Sequence, residues 1–151
     1  MNSNSARLFV GVSIAVSFLF LGCGGGDGYG GDGGMMNTGG VQPNITDIQS
    51  KIFTPRCALS GCHVGPTPQN GLDLSLGHAQ ANLINVPATW DASFLRVKPN
   101  DPQNSYLYMK LVNDPRIMGQ QMPKGGPFLN SNELGAVFDW IGQGGHQRPG
   151  Y

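Results

Sequence analysis

Beyond residue 40, apolar positions recur at helical spacing and do not alternate. Ile45, Ile48 and Ile52 fall three and four residues apart, as on one face of a helix. Thr46-Asp47-Ile48-Gln49 reads as a capping box, with Thr46 at the N-cap and Gln49 reaching back. A first short helix is therefore expected to run to about Phe53, where Pro55 interrupts it. Cys57 to Gly71 is rich in Gly and Pro and reads as ordered loop. A weaker helix is expected over Gly77 to Ile84, with Ala79, Leu83 and Ile84 facing inward. Asp101-Pro102 pairs an N-cap with proline at the first helical position. The helix it starts is expected to continue through Tyr106, Leu107, Met109, Lys110 and Leu111 to about Val112. Ile117 to Phe128 reads as loop. The last helix is expected from Asn130 or Ser131, with Leu134, Val137, Phe138 and Ile141 as its apolar stripe and Gly142 to Gly145 as its end. No stretch alternates with period two for long enough to predict a sheet, so the pattern predicts an all-α domain over 41–151.

The N-terminal part reads differently. Arg7 precedes an apolar run from Leu8 to Leu21, too short for an ordinary membrane span and suited to the core of a signal peptide over 1–22. Gly22-Cys23 resembles the end of a bacterial lipoprotein signal, which implies that Cys23 is lipidated and becomes the new N-terminus. Residues 23–40 are dominated by glycine, and such a tract is expected to be a disordered, flexible tether. Gly24 after the anchor cysteine favours the outer membrane, by resemblance to Gram-negative lipoproteins. The chain is thus expected to be exported, periplasmic or at the cell surface.

Composition narrows the partners. The 151 residues carry nine Lys and Arg against nine Asp and Glu, a formal net charge of zero. A general nucleic-acid binder needs a basic surface, so that class is set aside. The balance also gives no support for long-range steering toward a charged partner.

The chemistry concentrates in Cys57-Ala58-Leu59-Ser60-Gly61-Cys62-His63. The commonest c-type haem attachment signature is C-x-x-C-H; here four residues separate the cysteines. Two thiols must reach the two vinyl groups, and the next histidine must reach the iron. Small Ser60-Gly61 lets the intervening arm loop out.

Pro55, Cys57, Ser60-Gly61-Cys62-His63 and Gly71-Leu72-Asp73-Leu74 resemble the small c-type cytochrome domains of exported bacterial proteins. So do Val97-Lys98-Pro99-Asn100-Asp101-Pro102 with Ser105-Tyr106-Leu107, Met122-Pro123, and Trp140-Ile141 in the closing helix. The resemblance implies a class I cytochrome c-like fold, about four short helices wrapped around one covalent haem c. It implies thioethers at Cys57 and Cys62, His63 as the proximal iron ligand, and redox proteins as partners.

A sixth ligand is expected if the iron only transfers electrons. The candidates are Met109, Met118, Met122, His78 and His146. Met122 is chosen, because cytochromes of this type present their methionine in the loop before the last helix. Met109 reads as core filler, His78 as a surface histidine, and His146 as part of a frayed tail. Met118 is near enough in sequence to substitute. The proximal imidazole needs a second-shell acceptor, expected among the backbone carbonyls of Pro66 to Pro68. Arg96 and Lys98 are candidate partners for haem propionates. Trp90, Trp140, Phe128 and Phe138 read as haem-pocket packing.

Rival readings are a structural zinc site, a Cys57–Cys62 disulfide in a haem-free binding module, and a peroxidase-like enzyme. Zinc wants four tetrahedral ligands, and adjacent Cys62 and His63 rarely both reach one ion. A disulfide leaves His63 and Met122-Pro123 unexplained. A peroxidase needs polar distal groups, and no distal histidine–arginine pair stands out. The preferred expectation is a mono-haem electron carrier and not an enzyme.

Overall fold

The first helix starts at Asn44, two residues before the expected cap. In the computed structural model, which describes residues 39–146, Asn44 has extended backbone and its side chain accepts from the Asp47 N–H at 2.9 Å. The signal peptide, Cys23 and nearly all of the glycine tract lie outside the described residues. Helix α1 (Ile45–Ile48) runs directly into a π-helical segment over Gln49–Cys57. Gln49 does not reach back to a cap. It is buried, and a buried amide must find partners inside the fold; its Nε2 donates to Leu74 O at 2.9 Å and Thr54 Oγ1 at 3.1 Å.

Pro55 lies inside the π-helical segment and does not end it. In an α-helix a proline ring collides with the carbonyl four residues back. The wider π turn shifts the pairing to five residues, as in Ala58 N–H to Phe53 O at 2.7 Å. The helical path therefore continues past Pro55 and delivers Cys57 at its last turn.

Helix α2 (Ala79–Leu83) buries Ala79 and Leu83 as expected. Between Asp101 and Val112 the single expected helix is two pieces, a 3-10 turn (Pro102–Asn104) and helix α3 (Tyr106–Val112). They are split at Ser105, which is extended. The Ser105 hydroxyl is fully buried, accepts from the Lys98 N–H at 2.8 Å and lies 2.9 Å from Asp101 O. The Tyr106 and Leu107 N–H groups donate sideways to Leu95 O and Arg96 O, both at 2.9 Å. These tertiary bonds replace one continuous helical ladder. Asn113 ends α3 in the left-handed conformation at φ 58°, a position that favours Gly or Asn.

Helix α4 (Ser131–Gly142) begins as expected. Asn130 Oδ1 accepts from the Glu133 N–H at 3.0 Å, and Glu133 Oε2 accepts from the Asn130 N–H at 2.9 Å. Asn130→Ala should remove about 0.5–2 kcal/mol of stability, whereas Asn130→Gly should remove only a few tenths. Urea unfolding followed by far-UV circular dichroism would check both.

Among the described residues the fold is helical, with four α-helices and no strands; Ile84–Val97, Pro87–Leu95 and Leu95–Ser105 are isolated bridges. None of these helices is long and apolar enough to cross a membrane. The all-α expectation therefore holds. The core joins the beginning and end of the domain: Ile48, Ile52 and Phe53 cluster with Val137, Trp140 and Ile141, and Leu74, Leu83, Val97 and Leu111 complete it. Both α1 and α3 pack on α4.

Candidate functional site

Cys57 is the last residue of the π-helical segment, and Ala58 leaves it at φ −82°, ψ 49°. Leu59 to Cys62 then close a turn, with the Cys62 N–H donating to Leu59 O at 2.8 Å. Gly61 takes φ 77° in that turn, where a side chain would be strained. The His63 N–H donates to Cys57 O at 3.1 Å. The four intervening residues are thus looped out, and Cys62 and His63 return to the helix end that carries Cys57. Both cysteines are free thiols, Cys62 exposed and Cys57 partly covered. Burial pushes the Cys57 thiol up to about 12.

The His63 ring is held by Leu72 and not by the Pro66 to Pro68 loop. Its Nδ1 lies 3.2 Å from Leu72 O. The Gln69 N–H bonds Cys62 O at 2.8 Å and the Leu74 N–H bonds His63 O at 2.9 Å. The chain therefore doubles back beside His63, and the intervening prolines belong to the excursion. A carbonyl only accepts, so Nδ1 carries the proton and the neutral ring keeps its lone pair on Nε2. Burial lowers the His63 pKa, against the opposing pull of the Leu72 and Gln69 backbone. The ring is thus favoured in the neutral form that can ligate a metal.

Cys57, Cys62 and His63 line a cavity of about 730 Å³ whose other lining residues include Met118 and Met122. That volume lies within the ~300–1,000 Å³ usual for cofactor and ligand pockets. Leu72, Leu74, Leu83, Leu107 and Leu111 supply apolar wall. Met122 is half-buried against the main core, whereas Met118 is 54% exposed. Met109 is buried in a separate cluster with Ala88 and Tyr106. His78 is exposed and bonded to Asp73 at 2.9 Å, and His146 is exposed; neither lines the cavity. Of the sixth-ligand candidates, the two loop methionines are the ones brought to the cysteines and His63.

Of the four aromatics expected around the cavity, Trp90 lines it and the others do not. Trp140 is in the core, Phe138 packs edge-on to Tyr108 at 5.2 Å, and Phe128 is exposed. The register of α4 turns Trp140 and Phe138 away from the cavity, and Phe128 lies in the loop before that helix. Arg96 lines the cavity; Lys98 does not and pairs with Asp101 at 2.8 Å. The Arg96 guanidinium donates to Asn82 O and Asn70 O, both at 2.9 Å. Every charged residue of the lining is a cation, namely Arg56, Arg96, Lys110 and Lys124. Nothing in the sequence marks Arg56, Lys110 and Lys124 for the cavity, although Arg56 adjoins Cys57. Arg56 binds Glu133 Oε1 at 2.6 Å and Pro127 O at 2.7 Å, joining the cysteine segment to the start of α4.

The donor set suits a haem better than a bare metal ion. No group of three or more His, Cys, Asp and Glu is gathered among the described residues, so a four-ligand zinc site has no donors. A haem brings four nitrogen ligands of its own and asks the chain only for axial groups and thiols. Cys57, Cys62, His63 and a methionine on one apolar cavity meet that demand. No protein-family model matches the chain, and searches of curated proteins and of solved structures found no match either.

Proposed function

We propose that this chain is an exported mono-haem c-type cytochrome that carries single electrons between redox proteins at the cell envelope. The supporting observation is one cavity lined together by Cys57, Cys62, His63 and Met122. Cys57 and Cys62 would hold haem c through two thioethers, with His63 Nε2 as proximal and Met122 Sδ as distal ligand. Bound haem would supply a one-electron iron couple. The residues do the rest. Leu72 O fixes the imidazole, and burial keeps it neutral. The leucine wall would exclude water from a bound haem and so lower the dielectric there. Arg96, held by carbonyls, would place a positive charge on the lining that suits an acidic group of the cofactor. Cys23 would carry the lipid, and the glycine tract would raise the concentration of partners near an outer membrane. A class I cytochrome c-like fold agrees with α1 and α4 packing together from the two ends of the domain.

The protein should be made in a host that attaches haem and extracted with acid–acetone. Colour that stays with the chain and a pyridine haemochrome are expected; a colourless chain overturns the reading. Peroxide turnover by the untreated protein would favour an enzyme instead. Met122→Ala should abolish the methionine-to-iron charge-transfer band at the red end of the oxidised spectrum. It should also lower the reduction potential by on the order of 100 mV, a fraction of the ~0.8 V that axial ligands span. Persistence of the band would remove Met122 from the site.

A further inference from the structure

The segment from Met118 to Met122 has no helix or strand of its own, yet it carries both methionines of the cavity. What holds it is the last turn of α3. Lys110 Nζ donates to Met118 O at 2.9 Å and to Gln120 O at 2.6 Å. These carbonyls flank Gly119, whose φ of 77° marks the point where the backbone turns most freely. The Lys110 carbonyl, left without a partner at the helix end, accepts from the Met122 N–H at 2.9 Å. Leu111 O accepts from Gln121 Nε2 at 2.7 Å, and the Tyr106 hydroxyl accepts from the Met118 N–H at 3.0 Å. Lys110 is half-buried and forms no ion pair with a carboxylate among the described residues. Its ammonium is committed to the loop. Hydrogen bonds from a charged donor are stronger than neutral ones, and here one ammonium spans two carbonyls of the same loop.

We infer that Lys110 is a positioning residue, whose ammonium clamps the 118–122 loop onto α3 and so holds Met122, and not Met118, at the metal position. This rests on the cytochrome reading above. The clamp acts on ligand retention: without it the loop swings at Gly119 and the distal position opens more often to outside ligands.

The test uses the full-length haem protein and its variants Lys110→Met, Lys110→Gln, Lys110→Arg and, as a surface control, Lys51→Met. Imidazole binding to the oxidised form is followed optically, with far-UV circular dichroism and urea midpoints measured in parallel. Lys110→Met should bind imidazole about tenfold more tightly, the ~1.4 kcal/mol at the low end of a charged hydrogen bond. Lys110→Gln should lie between, Lys110→Arg should stay near wild type, and Lys51→Met should not change. A purely structural role would lower the urea midpoint and leave imidazole affinity unmoved. Two results would overturn the clamp: Lys110→Met and Lys110→Gln within twofold of wild type, or the same gain when Met122 is already alanine. A wild type without haem would overturn the cytochrome reading and this inference with it. A haem-bearing series with no Lys110 effect would overturn this inference alone.

Discussion

Serine at both Cys57 and Cys62 is expected to give a protein that gives up all its haem to acid–acetone, where the wild type keeps one per chain. The turn at Leu59–Cys62 and the His63 N–H bond to Cys57 O leave the two cysteines and the histidine lining one cavity. An iron ligand alone is displaced by acid, because the imidazole is protonated; a carbon–sulfur bond is not. Each single serine variant should retain haem through its remaining sulfur. His63→Ala should retain both thioethers but lose the six-coordinate spectrum, so attachment and ligation fail separately. Serine keeps the size and polarity of the thiol closely enough that far-UV circular dichroism should still report a helical chain. Haem that survives extraction from the double serine variant would end the proposal.

How far the residues could be read in advance depended on whether their partners are near in sequence. Helix α4 was legible because its cap, its stripe and its glycine end lie within one stretch. Leu134, Val137 and Ile141 share a face, and the reciprocal Asn130–Glu133 bonds are local. The C-x4-C-H turn is local too, so its residues were legible without any contact information. The misses have distant partners. Gln49 was read as a cap residue, but Leu74, twenty-five positions away, takes its amide. Thr46 lost the N-cap to Asn44, a better capping type two residues earlier. Ser105 breaks the third helix because Leu95, Arg96 and Lys98 compete for its neighbourhood. The acceptor for His63 is Leu72, reached by a doubling back that the prolines of the loop did not disclose. Lys110 acts on carbonyls, which carry no sequence signature at all, and Arg56 acts on two carbonyls and on Glu133, seventy-seven positions away. Met122 was chosen over Met118 by resemblance; the difference in burial between them is tertiary information.

Trp140→Ala is expected to cost about 3–5 kcal/mol, the range for emptying a buried aromatic site. A domain has only about 5–15 kcal/mol in total, so this variant should be mostly unfolded in mild urea. Trp140 is fully buried on α4, the helix against which α1 and α3 both pack, and Val137 and Ile141 beside it are equally inaccessible. Truncation there opens a void between all three helices, and none of them can collapse into it without leaving the others. Among the described residues the buried indole Nε1 has no hydrogen-bond partner, and an unsatisfied buried donor costs about 1–3 kcal/mol. Trp140→Phe removes that donor while losing only part of the ring system. It should therefore stay within about 1 kcal/mol of wild type, because removing the donor offsets part of the area lost with the smaller ring. Because Trp140 does not line the cavity, the ranking should be the same with and without bound cofactor. Urea midpoints for the two variants, measured on both forms, decide it. A loss for phenylalanine well above about 1 kcal/mol would mean that Nε1 has a partner in solution, and a small loss for alanine would mean that α4 is not the hub of the core.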